Sequence, residues 1–191
     1  LMLGLAAGAA CAWSAASAIA EDLEILDPQI SQAFAQVLAE AAEKIEKPQV
    51  KIAGDIEKAC GVHKEQSGLI LVPQKDLKAE EIPDGVKSDP GAPLGHLFMS
   101  KGFTPVIDGK PLDVSKLRTV KFTGQDGNEQ EVLYLALSAR NTDDDVWHLY
   151  GYGSEEKPVL DAQIGEGAGP GTQPLALEVK DLEDNTATAY V

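Results

Sequence analysis

From Gly68 to the C-terminus, the sequence consists of short apolar segments separated by turn-forming residues. Residues 118–123 alternate apolar and polar side chains, which is typical of a strand with one buried face. Residues 132–137 are apolar throughout, which predicts a central strand buried on both faces. No helical pattern separates these segments, which argues against a parallel sheet with crossover helices. We therefore predict a mainly antiparallel β domain over residues 68–191.

The other predicted strands follow the same pattern of apolar segments and turns. They cover residues 69–72, 96–99, 104–107, 147–152, 159–164, 175–180 and 186–191. Their number and spacing predict an antiparallel β-sandwich, either immunoglobulin-like or barrel-like. Residues 76–95 are polar and rich in Pro and Gly, which predicts a long loop. The last strand pattern reaches Val191 without a closing turn, which leaves open that the natural chain continues.

The segment before this domain, residues 21–67, has a helical pattern. Asp27 is suited to cap a helix N-terminus, Pro28 suits the first helical position, and Pro48 ends the pattern. Apolar residues spaced three and four apart predict one buried stripe. The stripe consists of Ile30, Phe34, Val37, Leu38, Ala41, Ala42 and Ile45. A second, shorter helix is predicted over residues 50–61, which makes the fold class α+β, with an N-terminal helical segment before the β domain.

Residues 1–20 are uncharged and rich in Leu and Ala, and they end in small residues before Glu21. This pattern predicts a signal peptide that is cleaved after Ala20. It leaves open a retained membrane anchor, although the Ala, Gly and Ser content is poor for a permanent span. It also leaves open lipoprotein processing at Cys11, which lacks the usual branched apolar residue three positions earlier. The predicted location is periplasmic or extracellular, with no membrane span after processing.

The charge of the chain limits the classes of partner. The sequence has 31 acidic and 16 basic residues, for a formal net charge of −15. An excess of this size repels phosphate backbones and anionic lipid surfaces, and no run of Lys or Arg creates a local exception. The sequence therefore argues against nucleic acid and leaves a protein or a glycan of the cell envelope as the expected partner.

Cysteine and histidine spacing gives no closed metal site. Removal of the leader leaves Cys60 as the remaining cysteine, which excludes an internal disulfide. Cys60 and His63 would share a helical face, but a structural zinc site needs about four ligands. The other imidazoles are His96 and His148, and nothing in the spacing brings them together. A buried thiol with ordinary polar histidines is the simpler interpretation.

An acidic run between two predicted strands provides the candidate metal ligands Asp143, Asp144 and Asp145. Carboxylates are ligands that calcium prefers, and an extracellular location suits weak calcium sites. The twelve-residue loop of an EF-hand is absent, and consecutive acids are also typical of a solvated turn. The sequence predicts no other cofactor.

Three aromatic residues, Trp147, Tyr150 and Tyr152, are the candidate ligand-binding residues. Strand alternation places Trp147 on one face and His148, Tyr150 and Tyr152 on the other. If exposed, the second face offers rings and polar tips that bind sugars or peptides. If the N-terminal helix covers it, these rings are core, an interpretation favoured by the aromatic content of only 5%.

Each candidate catalytic motif in the sequence is explained more simply by a structural role. The sequence therefore favours a non-catalytic binding or assembly module at the cell envelope. It leaves open a small secreted hydrolase, whose site would be assembled from His96, His148 and the cluster from Asp143 to Asp145.

Overall fold

A computed structural model describes residues 7–8, 10–14, 24–77, 87–107, 110–124, 127–142, 146–166, 175–178 and 186–190. The strands and the α-helix of these residues, numbered in chain order, are β1 (Ala7–Gly8), β2 (Ala10–Ser14), β3 (Glu24–Ile25), α1 (Pro28–Glu43), β4 (Cys60–Lys64), β5 (Ser67–Pro73), β6 (Ala92–Met99), β7 (Thr104–Ile107), β8 (Lys110–Pro111), β9 (Arg118–Thr123), β10 (Glu129–Asn141), β11 (Trp147–Tyr152), β12 (Leu160–Gln163), β13 (Gly165–Glu166), β14 (Ala176–Glu178) and β15 (Thr186–Tyr190).

The strands form one large antiparallel sheet and two smaller ones. The main sheet has eight strands in the order β12-β11-β10-β6-β5-β4-β3, and β9 also pairs with β10. The small sheet has the order β14-β15-β2-β7-β8, and β1 pairs with β13. The prediction of a mainly antiparallel β protein is therefore confirmed. In the described residues the main sheet is open, so the barrel-like alternative is wrong.

Strand β10 is the centre of the main sheet. Its first part, up to Tyr134, pairs with β9, and its second part, from Ala136, pairs with β11. Both partners lie along the same edge, and β6 pairs along the other. Where β9 and β11 meet, the Arg118 side chain donates a hydrogen bond from Nε to the Gly153 carbonyl at 3.2 Å. The apolar run predicted as a central strand therefore has neighbours on both sides.

The predicted loop over residues 76–95 is wrong at its end, because β6 begins at Ala92. Residues 78–86 lie outside the described part of the chain. The strand includes Pro93, which pairs with Ser138 where the register between β6 and β10 shifts. Because proline has no backbone donor, it is tolerated in a sheet at such irregularities. A proline-rich sequence therefore concealed the first part of this strand.

Helix α1 begins at Pro28, and the Asp27 carboxylate accepts a hydrogen bond from the Gln29 amide at 2.8 Å. Its buried residues are Ser31, Ala35, Leu38, Ala39, Ala41 and Ala42. Ile30 and Phe34 are 48% and 39% exposed, so their predicted place in the buried stripe is wrong. The buried side is made mostly of alanine, and small side chains allow a helix to lie close to a sheet.

The second helix predicted over residues 50–61 is also wrong. A short 3₁₀ turn covers Ile56–Lys58, and Cys60–Lys64 is strand β4. Pairing with β5 supplies the backbone hydrogen bonds of β4, and this tertiary pairing overrides the local helical spacing. The helical segment predicted for residues 21–67 therefore contains one α-helix and two strands of the main sheet, with the start of a third.

The two faces of the main sheet bury different side chains. The helix-side face contains aromatic residues and packs with α1. The opposite face, here called the aliphatic face, contains Leu69, Leu71, Leu97, Met99, Leu135, Leu137, Leu149 and Leu160. Strand alternation confirms the predicted split of β11, since Leu149 lies on the aliphatic face and Tyr150 and Tyr152 lie on the helix-side face.

Part of the predicted leader is a strand in this structure. Strand β2 pairs with β15 on one side and with β7 on the other, so it occupies the middle of the small sheet. Strand β15 pairs with β2 and, along its other edge, with β14. Among the described residues, no helix has both the length and the apolar character needed to cross a bilayer. Cleavage after Ala20 remains a prediction.

Candidate functional site

One region of the helix-side face is polar, and solvent reaches its outer groups, Asp89, His148 and Asp161. It consists of Asp89, Arg140, His148, Tyr150 and Asp161, and it is called the polar half-face. The pairing register places Arg140 opposite His148 and places Tyr150 opposite Asp161. Directly opposed residues of antiparallel strands project from the same face, so the side chains from β10, β11 and β12 meet there.

Arg140 is held by two interactions. Its Nη1 atom lies 2.6 Å from Asp89 Oδ1, and its guanidinium lies 3.8 Å from the centre of the Tyr150 ring. The Arg140 side chain is 16% exposed and the Asp89 side chain is 69% exposed. An ion pair and a cation–π contact together fix the guanidinium against the sheet. Its buried Nε atom has no hydrogen-bond partner among the described residues.

Asp89 belongs to the turn before β6, and this turn is tied to the sheet. The Tyr152 hydroxyl donates to Asp89 Oδ1 at 2.8 Å. The Ser138 hydroxyl donates to the Pro90 carbonyl at 2.5 Å. Burial raises the pKa of Tyr152, and its hydrogen bond to Asp89 raises it further. Tyr152 therefore remains a neutral hydrogen-bond donor at physiological pH.

His148 and Asp161 form an oriented pair on β11 and β12. Asp161 Oδ1 lies 2.6 Å from His148 Nδ1, and the imidazole stacks on the Tyr150 ring with centroids 5.9 Å apart. Because an ionised carboxylate only accepts hydrogen bonds, Nδ1 carries the proton and Nε2 is the nitrogen available to a ligand. The side chains are 26% and 55% exposed, so solvent reaches the pair.

The second imidazole on this face, His96, is buried and hydrogen-bonded. Its Nδ1 atom lies 3.0 Å from the Tyr134 hydroxyl, and its ring also bonds to the backbone of Ile52. Burial lowers the pKa of His96 to about 4, and the bond to Ile52 opposes this shift. His96 is therefore neutral near pH 7 and is held by hydrogen bonds within the protein.

The structure separates the residues of the predicted hydrolase site. His96 lies opposite Ala136 on β10, whereas His148 lies opposite Arg140 on the other edge of the same strand. Two strand spacings and four residues along the strand separate the Cα atoms of the two histidines by roughly 17 Å. Asp143, Asp144 and Asp145 lie outside the described residues. The two histidines therefore do not share a pocket.

The candidate ligand-binding aromatics lie on both faces of the main sheet. Trp147 is half-buried against the aliphatic face. Tyr150 and Tyr152 are buried on the helix-side face, so they do not form an exposed platform for a sugar. Tyr150 instead supports Arg140 and His148, and Tyr152 holds Asp89.

The candidate pair Cys60 and His63 lies on strand β4, not on a helix. A spacing of three on a strand places two side chains on opposite faces. His63 lies 3.6 Å from the carboxylate of Glu24, and Cys60 packs against the aliphatic face. Within the described ranges, no group of three or more His, Cys, Asp or Glu side chains is arranged to hold a metal ion.

Sequence reasoning missed Asp89, Arg140 and Asp161. Asp161 lies between Leu160 and Ala162, which are both buried. This alternation in the sequence could have indicated that Asp161 is exposed on the other face of the strand. Arg140 lies beyond the apolar run that marked the predicted central strand. Asp89 lies in the predicted loop, and no local pattern indicates a contact with a residue so distant in sequence.

Comparison with known proteins assigns the chain to no family. No family model matches it, and no curated protein and no solved structure is significantly similar to it. The polar half-face is therefore interpreted from its own geometry.

Proposed function

We propose that this protein is an exported, non-catalytic binding module of the cell envelope and that the polar half-face contacts its partner. The observation that carries this proposal is the mutual fixing of the polar groups of the polar half-face. Arg140 is fixed by Asp89 and Tyr150, and His148 is fixed by Asp161 and Tyr150. Side chains held before a partner arrives lose less conformational entropy on binding.

Binding is favoured over bond making because, among the described residues, no hydroxyl or thiol is hydrogen-bonded to His148, whose ring pairs with Asp161. Nucleophilic catalysis by a Ser, Thr or Cys side chain needs the hydroxyl or thiol within hydrogen-bond reach of the base. Ser138 lies on the same face, but it is fully buried and its hydroxyl donates to the Pro90 carbonyl. The oriented imidazole is therefore proposed to exchange a hydrogen bond with a ligand group.

The charge of the polar half-face favours a partner that carries hydrogen-bond donors. Its most exposed groups are the carboxylates of Asp89 and Asp161, and the chain as a whole has a net charge of −15. Such a field attracts cationic groups and accelerates their approach. Of the two envelope partners, a protein with basic side chains fits better than a neutral glycan.

His148→Ala tests the polar half-face, with Thr119→Ala as the matched control because Thr119 is exposed on β9, away from the polar half-face. Native mass spectrometry of the full chain from its source identifies the bound partner, and titration then measures its affinity. We expect His148→Ala to weaken binding roughly tenfold, equivalent to about 1.4 kcal/mol, and Thr119→Ala to leave it unchanged. Equal affinities for both variants would contradict the proposed site.

Export is tested by sequencing the N-terminus of the chain produced in its own cells. Cleavage after Ala20 predicts Glu21 as the first residue. A modified Cys11 at the N-terminus would instead indicate lipoprotein processing, and an intact leader would contradict the proposed export. Removal of residues 1–20 would also take away β2, the middle strand of the small sheet.

We further propose that, in the chain that retains residues 1–20, the small sheet is the second layer of a sandwich over the aliphatic face. Strand β14 contacts β4, and Leu175, just before β14, is buried in the aliphatic cluster. A shared core predicts that the chain unfolds in one cooperative transition. The Leu175→Ala substitution is expected to lower the midpoint temperature of that transition. Two separate transitions would contradict this arrangement.

A further inference from the structure

Strand β12 ends the main sheet with an unpaired edge among the described residues. Next to it, the Ile164 amide donates to the Trp147 carbonyl at 2.7 Å. In antiparallel pairing, successive residues direct their backbone groups to opposite sides. Ala162 therefore bonds to β11, and the amide and carbonyl groups of Asp161 and Gln163 point away from the sheet.

Buried side chains of β12 anchor this edge to the core. Leu160 and Ala162 are buried in the aliphatic cluster, whereas Asp161 and Gln163 are exposed. The alternation fixes the strand to the core through one set of side chains and leaves the outer backbone groups unobstructed by them. A second extended chain would meet donors and acceptors that are already positioned for pairing.

Strand β9 shows how the same sheet protects another edge. Its Lys121 side chain is 58% exposed and lies 2.7 Å from Glu129 and 3.6 Å from Glu131, both on the neighbouring strand β10. Lysine and proline on edge strands discourage the addition of another strand. Leu160–Gln163 contains neither residue, so this device is missing at the edge beside the polar half-face.

We propose that β12 accepts an extended segment of the protein partner, paired antiparallel or parallel to its outer edge, with basic side chains over Asp161 and Asp89. This inference rests on the proposed function and names the partner's chemical class. The exposed carboxylates and the net charge of −15 select lysine or arginine on the added strand.

The experiment uses the full chain and a synthetic eight-residue peptide that alternates valine and lysine. The test variant is Gln163→Pro, which removes an outward amide while leaving the pairing with β11 intact, and the matched control is Gln163→Ala. We expect Gln163→Pro to weaken peptide binding at least tenfold and Gln163→Ala to change it less than twofold. Equal binding by both variants would overturn strand addition.

Two further measurements make the test independent of how well Gln163→Pro folds. In the unaltered chain, the peptide is expected to slow hydrogen exchange at the amides of Asp161 and Gln163 at least tenfold. A peptide that alternates valine and glutamate is expected to bind at least tenfold more weakly. Unchanged exchange would overturn the edge as the binding element, and equal affinity for both peptides would overturn the basic partner.

The outcomes also separate this inference from the proposed function. If His148→Ala weakens binding of the native partner while the lysine peptide leaves exchange on β12 unchanged, the binding module stands and strand addition is wrong. If His148→Ala also leaves partner binding unchanged, the polar half-face itself is wrong.

Discussion

The helix-side face of the main sheet is divided into two environments that share strand β10. The covered half-face, defined by Ile70, His96, Phe98 and Tyr134, packs with α1 and is closed to solvent. There His96 is 5% exposed and its Nδ1 atom bonds to the buried Tyr134 hydroxyl, whereas on the polar half-face His148 bonds to the exposed Asp161 carboxylate and is half-buried. The difference shows that residue type alone does not mark a site: one imidazole maintains the fold, and the other is available to a partner.

The largest effect is expected in the covered half-face. Phe98 is buried, and its ring centroid lies 5.2 Å from that of Tyr134. Phe98→Ala is expected to lower the free energy of unfolding by about 3–5 kcal/mol, because it leaves a cavity in the core. Urea denaturation measures the loss. Ile30→Ala, at an exposed position on α1, is the control and should cost less than about 1 kcal/mol; equal losses would contradict the assignment of the core.

The next effect is a dependence of stability on pH that comes from His96. Its pKa falls from 6.5 in the unfolded chain to about 4 in the folded protein, so the unfolded chain binds the proton more readily. Stability is therefore complete above about pH 6.5 and decreases as the pH falls towards 4, by about 3 kcal/mol in total.

Denaturation at several pH values measures this slope. His96→Gln is expected to be less stable at pH 7 and to lose most of the slope between pH 6.5 and 4. His148→Gln should retain it. A slope that disappears with His148→Gln would reverse the roles given to the two imidazoles.

A smaller effect is expected where the turn before β6 meets the polar half-face. Arg140→Ala removes the ion pair with Asp89 and the contact with Tyr150, and it should lower stability by about 2 kcal/mol. Asp89→Asn should cost about 1 kcal/mol, because that side chain is largely exposed. The double variant measures the coupling, and strictly additive losses would show that the pair contributes nothing.

The smallest effect on stability is expected for His148→Ala. The pair with Asp161 is reached by solvent, so its loss should cost less than about 1 kcal/mol. The same variant is expected to weaken partner binding, which separates its role in recognition from a role in folding. A loss as large as that of Phe98→Ala would place His148 in the core and remove the distinction between the two half-faces.

Local patterns were sufficient for most of the strands and for the start of the helix. The alternation in residues 118–123 correctly placed Val120 and Phe122 on a buried face, and the apolar run in residues 132–137 marked the central strand. Asp27 and Pro28 correctly marked where α1 begins. These features depend on neighbouring residues in the sequence, so a single sequence is enough to predict them.

Features that depend on distant residues could not be predicted. The predicted stripe of α1 was correct at Leu38, Ala41 and Ala42. It was wrong at Ile30 and Phe34, because small alanine side chains allow the closest approach to the sheet. The spacing of apolar residues before and in strand β4 is typical of a helix, and its pairing with strand β5, farther along the chain, makes it a strand. In the candidate site, Arg140 and Asp89 come together only through the turn before β6, and no local spacing contains that contact.

The two partners along one edge of β10 and the single partner along the other have a consequence for how the molecule opens. Residues 133–134 and 136–139 lie between β6 on one side and β9 or β11 on the other. Their amides exchange with solvent only when the domain unfolds as a whole, whereas amides at strand ends exchange through local fraying. The slowest deuterium uptake in native protein will therefore come from these residues, and their rate reports global stability without denaturant.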